Sequence, residues 1–231
     1  NSSGDVTCFG GTDGFITSNT FGGAQPYVDY QWSFGLGSSA NLTSIPANTY
    51  CVLVTDNNGC QATTCQTVTQ PTELILTIPT VTNVSCNGAC DGSAFALAIG
   101  STTPYFYQWN LGGNLSNQNF TNNLCATPAA TVTVIDNNGC TNTATTPITE
   151  PSAITFTSQI IQSHCGLSDG TIYSHSSGGI PPYSYEWTPS LGTASLLTGI
   201  PGGIYVTTVT DDNGCTEQVV SAVNDILGPS I

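Results

Sequence analysis

Short runs of alternating or β-branched apolar residues dominate this chain. They occupy residues 15–20, 50–55, 74–78, 94–99, 131–135 and 205–210, and Gly, Pro and Asn residues bound them. Such runs are typical of β-strands separated by turns. No stretch keeps an apolar period of 3.6 residues between capping residues, so we expect almost no helix. The pattern predicts an all-β protein.

A string of residues recurs three times along the chain. D-N-N-G-C ends at Cys60 and at Cys140, and D-D-N-G-C ends at Cys215. Each D-x-N-G-C segment lies between two predicted strands, so we expect a tight hairpin loop closed by a left-handed Gly. Upstream of each loop lie a Trp and, before it, a Cys followed by an Asp-Gly pair. These residues are Trp32, Trp109 and Trp187, and Asp13, Asp91 and Asp169.

The length of the period sets the domain organisation. Successive Asp residues of the Asp-Gly pairs are 78 residues apart. A period of this length, with about seven short strands in it, suits one small β-sandwich. We therefore predict three tandem immunoglobulin-like β-sandwich modules, stapled by disulfides, at residues 1–71, 72–151 and 152–231. They are called repeats 1, 2 and 3 below.

The order of the motifs resembles that of the SprB repeat family. C-x-G-x-x-D-G is followed by G-G-x-P-P-Y-x-Y-x-W, by I-P-x-G-x-Y-x-V-x-V-x-D-x-N-G-C and by T-x-P, and repeat 3 has the fullest match. These repeats occur in giant surface adhesins and other exported proteins of Bacteroidota. The resemblance implies a secreted, extracellular or cell-surface protein with a role in adhesion or filament building. It implies no catalytic activity.

The charge of the chain restricts its partners. It contains no Lys or Arg against 14 acidic residues, for a formal net charge of −14. Nucleic acid is excluded because no cation can replace the counterions of its phosphates. Binding to an anionic membrane surface is excluded for the same reason, and no apolar run is long enough to span a bilayer. The remaining partners are copies of the same protein and, as an alternative, surface glycans.

The ten Cys residues, none in a C-x-x-C pair, indicate disulfides formed in an oxidising compartment. When the repeats are aligned, two Cys residues recur in every repeat, the first Cys and the Cys of the D-x-N-G-C loop, and we expect each such pair to form a disulfide. Cys51 faces Cys65 across the first D-N-N-G hairpin, and Cys90 and Cys125 pair by elimination. An alternative is that some of these last four residues link neighbouring chains. The predicted pairs are Cys8–Cys60, Cys51–Cys65, Cys86–Cys140, Cys90–Cys125 and Cys165–Cys215.

Two sets of repeated residues have competing interpretations. Asp13, Asp91 and Asp169 could bind calcium, but Asp and Asn also shape turns by bonding to their own backbone, and this second interpretation is favoured. We therefore predict no cofactor, with calcium as the alternative. The three Trp residues could form a sugar-binding platform. Their recurrence instead predicts a core Trp that packs against the repeated disulfide.

Other candidate chemistry is sparse. His164 and His175 lack nearby partners for a catalytic triad, so we predict no catalytic residues and no enzymatic activity. N-x-S/T sequons mark candidate glycosylation sites of a glycoprotein. These sequons begin at Asn1, Asn41, Asn83, Asn114 and Asn119.

The two ends of the sequence complement each other. Repeat 1 has only a short segment before its first Cys, whereas repeat 3 continues past its last predicted strand. Either the sequence is one period of a longer covalent array, or copies join head to tail by strand addition. The predicted function is a structural subunit of an extracellular filament or giant surface adhesin, and the alternative is a glycan-binding adhesin module. The predicted assembly residues are Asn224, Asp225, Ile226, Leu227 and Ile231, with Val6 in repeat 1.

Overall fold

Strands form almost all of the regular structure of this protein. The computed structural model describes residues 1–110 and 118–229, which contain 20 strands, β1 to β20, and one 3-10 turn, Ser33–Gly35. The expectation of an all-β chain is confirmed for this part of the molecule.

Repeat 1 consists of two three-stranded antiparallel sheets, with strand orders β1-β2-β4 and β3-β5-β6. The D-N-N-G-C loop joins β5 to β6 as the predicted hairpin. The strands are β1 Ser2–Gly4, β2 Gly14–Thr17, β3 Asp29–Trp32, β4 Asn41–Ile45, β5 Asn48–Thr55 and β6 Gln61–Val68.

Repeat 2 has the same arrangement, with strand orders β10-β8-β7 and β12-β11-β9. Its strands are β7 Ile75–Thr82, β8 Gly92–Ile99, β9 Phe106–Trp109, β10 Phe120–Leu124, β11 Thr127–Ile135 and β12 Thr141–Ile148.

Repeat 3 has strand orders β13-β15-β17 and β16-β18-β19, and a short parallel pair, β14 with β20, lies beside them. Its strands are β13 Thr155–Ile161, β14 Ser163–His164, β15 Gly170–Ser177, β16 Ser184–Thr188, β17 Leu196–Ile200, β18 Gly203–Thr210, β19 Thr216–Val223 and β20 Asp225–Ile226.

The cores of repeats 1 and 3 are each filled from both sheets. In repeat 1, Ile16 and Leu42 of one sheet pack in a single cluster with Trp32, Val52 and Val68 of the other. This is a β-sandwich, as predicted, because alternate residues of each strand point inward.

The recurring Trp is a core residue in all three repeats. The Trp32 Nε1–H donates to the Ser39 carbonyl at 2.7 Å, and the Trp187 Nε1–H donates to the Ala194 carbonyl at 2.8 Å. These bonds satisfy the one polar atom that burial of each ring would otherwise leave without a partner. The buried rings contradict the sugar-platform interpretation.

Close contacts divide the chain into two compact units rather than three. Unit 1 comprises residues Asn1–Pro79, Phe95–Phe120 and Thr131–Thr145. Unit 2 comprises Thr80–Ala94, Thr121–Ala130 and Thr146–Ile231. The division passes through repeat 2, although the strands themselves follow the three-fold repeat of the sequence. The module boundaries at residues 1–71, 72–151 and 152–231 remain a prediction from the sequence repeat.

The first strand of repeat 1 is short, as expected from its sequence. Strand β1 has three residues, and its Ser2 lies opposite Thr17. In repeat 3 the corresponding strand β13 has seven residues and extends along β15 as far as Ser177. Strand β1 therefore does not extend alongside the residues that follow Thr17, which include the exposed Phe21.

The core of repeat 3 is more polar than that of repeat 2. The hydroxyl groups of Ser174, Ser176 and Thr207 are buried without a hydrogen-bond partner among the described protein groups. Aligned by their Gly and Cys residues, Val132 of repeat 2 occupies the position of Thr207. A buried hydroxyl that is not hydrogen-bonded costs about 1–3 kcal/mol.

We therefore expect Thr207→Val to raise the stability of the protein, because Val fills the same volume without the hydroxyl. The rise in melting temperature should be roughly 3–10 °C, measured by circular dichroism. The matched reverse change, Val132→Thr, should lower it by a similar amount. A lower melting temperature for Thr207→Val would show that the hydroxyl makes a stabilising hydrogen bond.

Candidate functional site

Two of the four disulfides among the described residues join consecutive repeats. Cys8 is bonded to Cys140 and Cys86 to Cys215, with Cα–Cα distances of 5.7 and 5.6 Å. The first pair lies within unit 1 and the second within unit 2. The predicted pairs Cys8–Cys60, Cys86–Cys140 and Cys165–Cys215 are therefore wrong, as is the packing of each Trp on such a pair. The other two disulfides, Cys51–Cys65 and Cys90–Cys125, connect the residues that were predicted to pair.

A disulfide between the first Cys of repeat 1 and the Cys of its own D-x-N-G-C loop is excluded by the length of the last strand. The Val6 N–H donates to the Thr69 carbonyl at 2.9 Å, and the Gly10 N–H donates to Gln70 Oε1 at 2.8 Å. These bonds hold Cys8 at the far end of β6, whereas Cys60 immediately precedes its first residue. Eight residues of strand span about 26 Å, and a disulfide requires Cα atoms within about 7 Å.

The same geometry holds in the other two repeats. Val84 donates to the Thr149 carbonyl and Ser163 donates to the Asn224 carbonyl, each from its backbone N–H. The first Cys of each repeat is thereby held one full strand away from the Cys of its own D-x-N-G-C loop. Only the loop of another repeat can reach it.

Each repeat presents a tail surface, which we define as its first Cys and the residue before it: Thr7–Cys8, Ser85–Cys86 and His164–Cys165. The Asp of the Asp-Gly pair fixes the conformation of this surface by accepting hydrogen bonds from the residue before the Cys. Asp13 Oδ1 accepts the Thr7 N–H at 3.1 Å, and its other oxygen accepts the Thr7 hydroxyl. The pKa of Asp13 is lowered by the Thr7 hydroxyl and then by the Thr7 N–H.

The equivalent Asp residues act in the same way. Asp91 accepts the Ser85 N–H at 2.9 Å and the Ser85 hydroxyl. Asp169 accepts the His164 N–H at 2.9 Å and lies 3.1 Å from His164 Nδ1. These carboxylates are thus already used for turn structure. Among the described residues, no three His, Cys, Asp or Glu side chains form a group that could hold a metal ion.

Each repeat also presents a head surface, which we define as its D-x-N-G-C loop and the Gly turn before its Trp strand. The head surfaces comprise residues 56–60 with Gly22–Gly23, residues 136–140 with Gly100–Ser101, and residues 211–215 with Gly178–Gly179. The loop Asp holds the two parts together. Asp211 Oδ1 accepts the N–H groups of Asn213 and Cys215, and Oδ2 accepts the Ile180 N–H at 2.8 Å.

The buried loop carboxylates remain ionised because of these bonds. Burial raises the pKa of Asp211, but the N–H groups of Ile180, Cys215, Asn213 and Gly214 together outweigh this effect, so the pKa is lowered overall. The same balance, with the Ser101 hydroxyl as the main donor, lowers the pKa of Asp136. The Ala24 and Cys60 N–H groups lower the pKa of Asp56.

The junction between two repeats joins a tail surface to a head surface. The Asn138 Nδ2–H donates to the Thr7 carbonyl at 3.2 Å beside the Cys8–Cys140 disulfide. At the second junction the Asn213 Nδ2–H donates to the Ser85 carbonyl at 2.9 Å. The Asn of the D-x-N-G-C loop is therefore a junction residue, which sequence analysis missed. The sequence did contain a signal for this role, because an Asn occurs at the same position in all three loops.

The segment between two repeats also packs on the head surface. The Ser101 N–H donates to the Thr72 carbonyl at 3.1 Å, and the Gly179 N–H donates to the Ser152 carbonyl at 2.7 Å. A Cβ at Gly100 would lie 1.9 Å from the Glu73 oxygen, and one at Gly178 would lie 2.0 Å from the Ala153 oxygen. Only glycine fits beneath this connecting segment.

One head surface and one tail surface are left without a partner in the described chain. Cys60 and Cys165 are unpaired and exposed, whereas Cys140 in the corresponding loop is only 9% exposed. Gly22 corresponds to Gly100 and Gly178, but no atom lies within 4 Å of the position of its Cβ. A shallow cavity of about 130 Å³ lies there, lined in part by Phe21, Gly23 and Cys60.

The structure corrects the predicted roles of several assembly residues. Val6 is buried in the core of repeat 1. The Asn224 carbonyl accepts the Ser163 N–H, and the Ile226 carbonyl accepts the Cys165 N–H at 2.9 Å. Asp225 accepts the Gly166 N–H. These residues therefore complete repeat 3 itself, because their backbone groups are bonded within it.

The remaining predicted site residues are only partly described. Leu227 is 81% exposed, and Ile231 lies outside the described residues. Of the sequon residues, Asn1, Asn41 and Asn83 are exposed and Asn119 is half-buried, whereas Asn114 lies outside the described residues. Their glycosylation remains a prediction.

Comparison with known families agrees with the sequence motifs. The SprB repeat family matches residues 1–37, 78–114 and 157–192. The chain carries three SprB repeats. Each match runs from the first strand of a repeat past its Trp. The SprB repeats and the four disulfides indicate an extracellular or cell-surface protein of the adhesin-like repeat class. In residues 1–110 and 118–229 there is no helix with the length and apolarity needed to cross a membrane.

Other similarities of these SprB repeats are remote, and no curated protein matches the chain. A structure of the N-terminal eight Ig domains of Down Syndrome Cell Adhesion Molecule (DSCAM) isoform 1.30.30 is 13% identical, with a TM-score of 0.42. The similarity covers 96% of this chain and 35% of that one. PcdhgB3 EC1-4 is 10% identical, with a TM-score of 0.34 over 82% of this chain and 61% of that one. Neither similarity carries an argument about function.

The lowered pKa of Asp211 predicts acid sensitivity. Its carboxylate contributes stability above the unfolded pKa of about 3.9, and this contribution is lost as the pH falls through the lower folded pKa. Asp211→Asn should lower the melting temperature at pH 7 by roughly 4–10 °C. Asn has only one side-chain oxygen, so it can accept the N–H groups of Asn213 and Cys215 but leaves the Ile180 N–H without an acceptor. The variant should lose less stability than the wild type between pH 6 and pH 3.

The control for this measurement is Asp212→Asn, which removes the same charge from the adjacent position. Its melting temperature should follow that of the wild type at each pH. An Asp211→Asn protein with a wild-type acid profile would contradict the assigned role of the carboxylate.

We also expect chelation to leave the protein unchanged. Excess EDTA should alter the melting temperature by no more than about one degree, since Asp13, Asp91 and Asp169 are bonded to Thr7, Ser85 and His164. The measurement is differential scanning calorimetry with EDTA and then with excess calcium. A shift of about ten degrees or more would favour the calcium interpretation.

Proposed function

We propose that this chain is a non-catalytic structural subunit of an extracellular filament or giant surface adhesin, in which repeats join head to tail. The observation that carries the proposal is the repeated junction. The same contact is built twice, and one further head surface and one further tail surface occur without a partner in the described chain. A contact between unlike surfaces leaves one open surface at each end, so it adds copy after copy and produces a filament when the rotation between copies does not close a ring.

The chemistry of the junction suits a strongly acidic protein. Its bonds run from Asn amides and backbone N–H groups to backbone carbonyls, and the described contacts there include no ion pair. Copies with a formal charge of −14 can therefore associate without cationic partners. Their mutual repulsion is screened over about 8–10 Å at physiological salt.

The open head surface of repeat 1 offers the same groups as the occupied ones. Gly23 aligns with Ser101 and Gly179, whose N–H groups bind the connecting segments Thr72 and Ser152. Alignment after the last strand places Leu227 at the position of Thr72 and Ser152. We propose that the Leu227 segment of a second copy occupies this surface, with the Gly23 N–H donating to the Leu227 carbonyl.

The glycan-binding alternative has weaker support. Exposed aromatic residues clustered at one tip would favour it, whereas the repeated Trp32, Trp109 and Trp187 are all buried. His164 is bonded to Asp169 within its own turn, which is a structural use of the side chain. A filament therefore accounts for more of the repeated residues than a binding or catalytic site does.

Assembly can be tested by filling the space above Gly22. Gly22 has φ +80°, a conformation that Asn tolerates. Gly22→Asn should fold normally, because nothing lies within 4 Å of the Cβ position. It should block docking, because a connecting segment bound as in repeats 2 and 3 would pass through the side chain. We expect filaments from the wild type and monomers from the variant, by negative-stain electron microscopy and sedimentation.

The matched control is Gly35→Asn, which also replaces an open glycine of positive φ in repeat 1 but lies outside the head surface. It should assemble like the wild type. Wild-type protein that remains monomeric at high concentration, or Gly22→Asn protein that forms the same filaments, would overturn the proposal.

A further inference from the structure

We propose that Cys165 of one copy forms a disulfide with Cys60 of the next, so that the filament is covalently linked. This inference rests on the proposed head-to-tail assembly and names the bond that fixes it. Both residues are unpaired and exposed in a chain whose other eight Cys residues are bonded.

The positions of the four junction cysteines define the rule. The tail-surface Cys of repeat 1 is bonded to the head-surface Cys of repeat 2, and that of repeat 2 to the head-surface Cys of repeat 3. The same rule assigns the tail-surface Cys165 to the head surface of a following repeat. The head-surface Cys60 then requires the tail surface of a preceding one. A second copy of this chain supplies both partners.

The head loop around Cys60 already has the shape that the disulfide requires. Asp56 Oδ1 accepts the Asn58 N–H at 2.9 Å and the Cys60 N–H at 2.8 Å. The corresponding distances at Asp136 are 2.9 and 2.7 Å, in a loop whose Cys is bonded. The loop is therefore formed in advance of the covalent bond. The His164 carbonyl accepts the Leu167 N–H at 2.8 Å and keeps a second lone pair, to which the Asn58 amide of the next copy would donate as Asn138 donates to the Thr7 carbonyl.

The tail surface around Cys165 is also formed, although its turn is one residue shorter than in the other repeats. The His164 N–H is held by Asp169 at 2.9 Å, and the Cys165 N–H by the Ile226 carbonyl at 2.9 Å. Cys165 has φ +51°, which accommodates the shorter turn. Gly228 lies beside it, and a Cβ there would be 3.1 Å from Cys165 Sγ. A glycine at 228 thus leaves the sulfur accessible.

Formation of the bond requires an oxidant. The two thiols lose two hydrogen atoms to a small-molecule or protein disulfide, which is reduced to two thiols as the new S–S bond forms. One Cys thiolate first displaces a thiol from the oxidant to give a mixed disulfide, and the second thiolate then displaces the other thiol. Docking of head and tail surfaces brings the two sulfur atoms together and so favours this pair over random ones.

The test uses the whole chain and mixed isotopes. ¹⁵N-labelled Cys60→Ser protein, which keeps Cys165, is mixed with unlabelled Cys165→Ser protein, which keeps Cys60, in oxidised glutathione. We expect a covalent dimer and nothing larger on non-reducing gels. Wild-type protein should give a ladder of covalent oligomers, and the double variant should give none. Digestion with chymotrypsin should yield a heavy Cys165 peptide joined to a light Cys60 peptide.

The controls separate this inference from the assembly that it rests on. The variant Cys51→Ser/Cys65→Ser lacks a disulfide within repeat 1 and should still form the ladder. Filaments that form normally while both thiols stay free would overturn the disulfide and leave the proposed function intact. Cys60–Cys60 or Cys165–Cys165 dimers in place of the mixed pair, or a Cys60–Cys165 bond within one chain, would also overturn it. Gly22→Asn should slow the ladder at least tenfold, whereas Gly35→Asn should not; equal rates would mean that docking does not direct the bond.

Discussion

The absence of Lys and Arg leaves backbone N–H groups and hydroxyls as the main partners for the buried carboxylates. Asp56, Asp136 and Asp211 are buried, and each accepts several N–H donors of its own hairpin loop and of the neighbouring turn. Each of these Asp residues therefore fixes a whole loop rather than one contact. Because the head surface consists of that loop and turn, the junction between repeats depends on one ionised, N–H-bound carboxylate.

The tail surface uses the same kind of bond at an exposed position. Asp13 orients Thr7 by binding its N–H and hydroxyl, which turns the Thr7 carbonyl toward the amide of Asn138. The two halves of the junction are thus each organised within their own repeat. Their meeting requires little further ordering of the chain, which lowers the entropic cost of association.

The sequence predicted the strands, the hairpin loops and the buried Trp residues, because alternation and turn residues report local structure. It did not predict which cysteines meet. Pairing Cys8 with Cys60 and pairing Cys8 with Cys140 both respect the repeat, and they differ only in whether the first Cys and the loop Cys of one repeat lie at the same end. That depends on the eight-residue length of β6 and on the bonds that hold Cys8 beside Thr69 and Gln70. The bond from Val6 to Thr69 joins residues more than sixty positions apart, so no local pattern contains it.

The interlaced disulfides change how the chain would respond to tension. Between Cys8 and Cys215 the polypeptide has 206 residues, which would extend to roughly 700 Å if pulled straight. The shortest covalent route crosses three disulfides, Cys8–Cys140, Cys125–Cys90 and Cys86–Cys215. Its two polypeptide segments, residues 125–140 and 86–90, contain only 21 residues, or roughly 65 Å of extended chain. A load applied at the two end cysteines would therefore be borne by this short route, and the folded sandwiches would be shielded from being drawn out strand by strand.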